Sequence, residues 1–292
     1  MNTLFDRWVD EALRNQQDLS PLRAVVEKEL LHRDILGVMI SSGQLAGMTF
    51  IGGTCLRACY GSERLSEDLD FAAGADFDAV KLKDLPSLIA AVVDRKYGLK
   101  VFVSEPQIHD DGVKTWTVKV ETRPGRRDMP LQKINIDICP VPSHQRRTMM
   151  VRELYRSDSR ANALLLLAES REEILADKWI ALGLRRSRIK HRDLWDVAWL
   201  RRQAIKLPVE LIPVKLTDHG RDQDEYWHLL GNRLEMLQKG DAMRGEFIRE
   251  MQRFLPPAIY EKTVAQEGFW TYLVAELVEG ASEIAKVLSR SS

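Results

Sequence analysis

Residues 1 to 47 carry apolar side chains at helical spacing, in LFDRWVDEAL and LRAVVEKELLHRDILGVMISSG, and predict helices. MTFIGG then predicts a short buried strand ending in a turn, and TCLRACYG a brief helix capped by Thr54. DLDF predicts a second strand. DFDAVKLKDLPSLIAAVVDRKYG predicts a helix interrupted at its proline. LKVFVSE, KTWTVKVET and KINIDICPV predict three more strands, the last two joined by the basic turn RPGRRDMP. Strand signals stop near residue 150. REEILADKWIALGLRR, RDLWDVAWLRRQA and DEYWHLLGNRLEML are helical, as are the segments that follow. The expected class is therefore α+β, with a domain at 1–150 and an all-helical domain at 151–292.

Composition changes this picture little. With 292 residues and 45% hydrophobic content the chain can bury a real core. Its 43 basic and 43 acidic residues cancel, so only local patches bear on nucleic acid. Three cysteines, Cys55, Cys59 and Cys139, form no CxxC motif and suggest neither a disulfide framework nor a zinc site. The charged start MNTLFDRWVDEALRNQ does not read as a signal peptide, and the longest apolar run, ALLLLA at 163 to 168, is too short to span a bilayer. A soluble, reducing, cytoplasmic setting is expected.

The stretch FIGGTCLRACYGSERLSEDLDF, residues 50 to 71, raises the chemical question. Side chains two apart in a strand share a face, so Asp68 and Asp70 are expected to project together. Like charges that close call for a cation between them, and a hard ion such as Mg²⁺ or Mn²⁺ takes carboxylate oxygens while keeping places for water and phosphate. INIDI offers a third carboxylate: Asp137 shares a face with Asn135 and sits mid-strand among isoleucines, where a charge needs a partner or a task. Gly52 and Gly53 allow a backbone to approach phosphate, and the helix opening at Thr54 favours anions at its N-terminus. A glycine pair alone is a turn, and a lone Asp-x-Asp is a solvated loop; their combination with Asp137 is what points to chemistry.

This pattern resembles the DNA polymerase β nucleotidyltransferase superfamily. Within it, Gly52, Gly53, Thr54, Leu56, Arg64, Ser66, Asp68, Leu69, Asp70 and Phe71 fit the form Gly-Gly-Thr-x-Leu … Arg-x-Ser-x-Asp-Leu-Asp-Phe of the AbiEii/AbiGii toxin family, which includes the MenT nucleotidyltransferases. The resemblance implies a polymerase β-type core with a mixed sheet, and nucleotide transfer from a nucleoside triphosphate. For some members the acceptor is the 3′ end of tRNA. It further implies metal at Asp68, Asp70 and Asp137, a triphosphate at Gly52, Gly53, Thr54, Arg64 and Ser66, and a cognate antitoxin.

A second constellation lies downstream. Ile174 and Leu182 fall about 40° either side of Lys178 on the helix, and Leu175 and Ala181 about 60° either side, so this lysine centres an apolar face. It either snorkels out at the rim of the core or directs its ammonium at a triphosphate. Arg192, Asp193 and Asp196 begin the next helix, where the dipole alone accommodates carboxylates. The family carries a lysine-bearing helix followed by Arg-Asp-x-x-Asp, which Lys178, Arg192, Asp193 and Asp196 match, so the resemblance implies that the helical domain completes the active site. Either aspartate can be the important one. The run Arg185, Arg186, Arg188, Lys190 and Arg192 is a candidate for RNA phosphate, with a solvated loop as the bland alternative. Arg123, Arg126 and Arg127 are a weaker patch. Trp116, Trp179, Trp195 and Trp199 read as packing. Rival functions are transfer to a protein hydroxyl, a nuclease on the same carboxylates, and a non-catalytic nucleotide- or partner-binding module.

Overall fold

The computed structural model describes residues 3–126, 129–155, 163–185 and 188–288. It divides into two compact units, Met1–Glu169 and Ser170–Ser292.

The first unit opens with helices α1 (Leu4–Asn15) and α2 (Arg23–Ser41). Thr3 and Asp6 close a reciprocal capping box at the start of α1. Strand β1 (Thr49–Ile51) leads into the short helix α3 (Gly52–Cys55), which runs on as a π turn to Tyr60. Strand β2 (Leu69–Ala72), helix α4 (Leu85–Tyr97) and strands β3 (Val101–Val103), β4 (Gln107–Ile108), β5 (Lys114–Val120), β6 (Gln132–Cys139), β7 (Arg146–Met150) and β8 (Leu165–Glu169) follow. The strands form one mixed sheet in the order β3-β5-β6-β2-β1-β8-β7, with β4 on β5. β2 runs parallel to β6 and antiparallel to β1; β1 runs parallel to β8. Phe50, Phe71, Ile134, Ile136 and Ile138 are buried on it.

Three local expectations need correction. The helix expected from residue 76 is a 3₁₀ turn (Ala79–Leu82) followed by α4, and Pro86 sits in the first turn of α4, where its missing N–H costs nothing. The α3 helix begins at Gly52, so Thr54 does not cap it. Strand structure also continues past residue 150: ALLLLA supplies β8. β8 lies between β1 and β7, parallel to β1; its burial alternates, with Leu165 and Leu167 exposed, but a run of leucines hides that alternation in the sequence.

The second unit is helical: α5 (Arg171–Leu184), α6 (His191–Arg202), α7 (Leu211–Asp218), α8 (Gln223–Lys239), α9 (Asp241–Met251), α10 (Pro257–Lys262) and α11 (Glu267–Leu288). Ser170 caps α5 through the Glu173 amide. α5 packs on α6, α7 and α8. Trp179, Trp195 and Trp199 are buried, and the ring of Trp179 lies so close over Gly280 of α11 that a side chain there would have to displace it. Among the described residues no helix is long and apolar enough to cross a membrane.

Candidate active site

Pairing of β2 with β6 sets Asp70 directly beside Asp137. Register partners on neighbouring strands, about 4.8 Å apart, present their side chains to one face. The Asp137 Oδ1 accepts the Thr115 hydroxyl proton at 2.6 Å from β5, and Thr115 Oγ1 lies 3.0 Å from His109 Nε2. Since Thr115 spends its one proton on Asp137, His109 must donate through Nε2–H.

On the other side of Asp70 runs β1, with Ile51 as its partner. The next residue, Gly52, has φ +76°, and a Cβ there would stand 2.9 Å from Asp70 Oδ2. Both the backbone conformation and the closeness of the carboxylate therefore demand glycine.

Asp68 precedes β2, and its Oδ1 accepts the Asn135 amide at 3.0 Å. One of its oxygens is thus used in the sheet. Asp70 and Asp137 come together through this register. Among the described residues, however, no three His, Cys, Asp or Glu side chains form a group able to hold a metal. The pair of half-buried carboxylates still suits a hard cation such as Mg²⁺, which needs only one or two protein carboxylates beside water and phosphate.

The loop between α3 and β2 is held from inside. Thr54 is buried, and its hydroxyl meets both the Asp68 carbonyl and Ser66 Oγ, the latter at 2.7 Å. A carbonyl only accepts, so Thr54 donates to Asp68 and Ser66 donates to Thr54. Ser66 N–H donates to Glu29 Oε1 at 3.1 Å. Glu29, buried on α2, also takes Arg57 Nε at 3.1 Å and the Tyr155 hydroxyl at 2.6 Å. Arg64 is buried too, its Nη1 donating to the Leu65 carbonyl at 3.0 Å. Arg64 and Ser66, expected at the nucleotide, thus sit within the fold. Sequence reading missed Glu29, although it carries the same signal as Lys178: a charge at helical spacing from apolar Val25, Val26 and Leu36.

In the second unit Lys178 neither reaches the surface nor stands alone. It is buried on α5 with Nζ 2.6 Å from Asp193 Oδ1 and 2.9 Å from Asp196 Oδ2, both on α6. Both aspartates are buried, so the two expected alternatives share one lysine. Burial alone would raise the Asp193 carboxyl, but the charges of Lys178, Lys190 and Arg185 outweigh it and hold the group well below the usual carboxylate range. A second buried cation, Lys215 of α7, bridges Glu173 at 2.8 Å and Asp177 at 2.5 Å and so fixes the opposite edge of α5.

The basic run is only partly free for phosphate. Arg185 pairs with Asp193 at 3.3 Å and Arg192 with Glu250 at 3.3 Å; Lys190 is half-buried and Arg188 exposed. Arg186 lies outside the described residues, as does Arg127. Arg123 is turned onto Glu27 and Asp6.

The chain matches from residue 35 to residue 275 the family described as "Nucleotidyl transferase AbiEii toxin, Type IV TA system". No curated protein matches. Among solved structures it is similar in fold to MenT4, a nucleotidyltransferase toxin from Mycobacterium tuberculosis H37Rv, at 15% identity over 95% of this chain and 92% of that one, with a TM-score of 0.55. JHP933 from Helicobacter pylori is 19% identical over 91% of this chain and 94% of that one, with a TM-score of 0.47. The family match takes in the glycine turn, both aspartate strands and most of the helical unit, and by it this chain belongs to the AbiEii nucleotidyltransferase toxins and is a nucleotidyltransferase.

Proposed function

We propose that this toxin transfers a nucleotide from a nucleoside triphosphate to an RNA acceptor, the 3′ end of tRNA, with Mg²⁺ held by the carboxylate pair Asp70 and Asp137. The observation that carries this reading is the register that sets Asp70 beside Asp137 against Gly52. Bound there, a divalent ion would neutralise triphosphate charge and polarise the reacting phosphoryl group. Gly52 and Gly53, free of side chains, let their backbone approach the phosphates. The attacking hydroxyl oxygen forms a bond to the α-phosphorus, the bond to the bridging oxygen breaks, and pyrophosphate leaves with the electron pair. The hydroxyl proton passes to water, and Thr115 and His109 fix the orientation of the Asp137 carboxylate. In this reading Arg64 and Ser66 shape the loop, and Lys178, held by Asp193 and Asp196, organises the helical unit. Arg188 and Lys190 contribute to RNA affinity, and a cognate antitoxin restrains the enzyme in the cytoplasm.

The test is incubation of the purified chain with Mg²⁺, each labelled nucleoside triphosphate in turn, and total tRNA or total protein. Label on intact tRNA is expected. Label on protein alone would replace the acceptor with a protein hydroxyl. Shortened RNA would indicate a nuclease, and no change in either acceptor a binding module. Expression of the wild type should arrest growth and Asp70→Asn should not; equal arrest would remove this site from the toxicity.

A further inference from the structure

A cavity of about 490 Å³ opens in the first unit between α2, α4 and residues 151–155. This lies within the roughly 300–1,000 Å³ of small-molecule sites. Its wall is mainly apolar, with Leu30, Leu36, Val92, Val151, Leu154 and Leu164.

The charged groups on the wall are nearly all matched. Arg57 pairs with Glu29 at 3.1 Å, Lys96 with Asp34 at 2.5 Å, and Arg33 with Glu153 at 2.9 Å. Burial lowers the His32 imidazole, whose Nε2 lies 2.9 Å from the Glu67 carbonyl, and so favours its neutral form. The remaining charged group is Arg152. It forms no ion pair among the described residues, and its Nη1 stands 2.5 Å from where a Cβ on Gly61 would be. The cavity thus combines an apolar body with the exposed Arg152 among its lining residues, a cation free to meet a single anion.

We propose that this cavity is a second ligand site, separate from the carboxylate pair, for a small apolar monoanion such as an aryl or acyl carboxylate or sulfonate. The apolar body lies among the leucines and valines, and the anionic head meets Arg152. Thr54 and Arg57 line the same cavity. An occupant therefore touches two of the side chains that hold the loop before Asp68, which gives the site a route to the nucleotide end of the unit.

The site is tested by binding on the full-length protein, without reference to transfer. The aryl sulfonate 8-anilinonaphthalene-1-sulfonate serves as fluorescent probe, with decanoate, decanol and decyltrimethylammonium as competitors. Saturable binding of one probe per chain is expected, displaced by decanoate in preference to the neutral and cationic chains. Arg152→Gln should weaken decanoate about tenfold, the worth of a hydrogen bond to a charged group, and leave decanol unchanged. Gly37→Leu places a side chain in the cavity, where the glycine Cβ position meets only the Leu164 methyl groups at 3.8 Å. It should abolish probe binding while the melting temperature holds or rises. Non-saturable binding, equal displacement by the three competitors, or wild-type binding by a folded Gly37→Leu protein would each overturn the proposal.

Discussion

At the scale of single residues, two positions bear most of the physical constraint. Gly52 holds φ +76° with its Cα against Asp70. Gly52→Ala adds a left-handed alanine, at roughly 1–2 kcal/mol, and pushes the carboxylate aside. Transfer should fall at least as steeply as stability, because the displaced group is the carboxylate proposed to hold the cation; rates and melting temperature measured on one preparation check this. Lys178 is the other. A lysine at the rim of the core would tolerate Lys178→Met, but here the change strands two buried carboxylates against each other. The expected loss is about 3–5 kcal/mol, read by chemical denaturation. The same cluster sets a pH dependence. Asp193 has a lowered carboxyl in the folded state, so its contribution is complete above the unfolded value of about 3.9 and is lost as pH falls below it. The stability gap between wild type and Asp193→Asn should be flat from neutrality to about pH 5 and shrink below about pH 4. A gap that widens on acidification would contradict the ion cluster.

At the scale of elements, what was legible followed from periodicity and what was missed followed from context. β2, β5 and β6 were visible because apolar residues alternate with polar ones, and α5 because its apolar face is continuous. β8 was not: a run of leucines carries no period, and only its place between β1 and β7 makes it a strand. Thr54 looked like a cap because threonine favours that position, but a contact with Asp68, 14 residues away, decides its role. The pairing of Asp70 with Asp137 is not legible in the sequence, since no local signal fixes which strands become neighbours. In α2, Gly37 sits mid-helix with room for a methyl group against Leu164. Gly37→Ala should therefore stabilise the protein by roughly 0.5–1 kcal/mol through helix propensity, seen as a higher midpoint of denaturation. A lower midpoint would mean that the space beside Leu164 is not available.

At the scale of the whole molecule, the chain folds into two units of different construction. The first is a mixed sheet that brings residues distant in sequence into one register; the second is a helical unit whose buried lysine, Lys178, is closed by two acids. In the proposed reaction Asp70 and Asp137 are kept together for a cation and a nucleotide, against their mutual repulsion. Replacing either charge relieves that repulsion, so Asp70→Asn and Asp137→Asn should fold with melting temperatures equal to or above wild type. Their Mg²⁺-dependent transfer from a labelled nucleoside triphosphate should fall by about three orders of magnitude or more, the loss of several kcal/mol of transition-state stabilisation. The decisive measurement is that transfer rate, with the melting temperature of the same samples. Stable but inactive variants are the predicted result; stable variants that transfer at the wild-type rate would contradict the account.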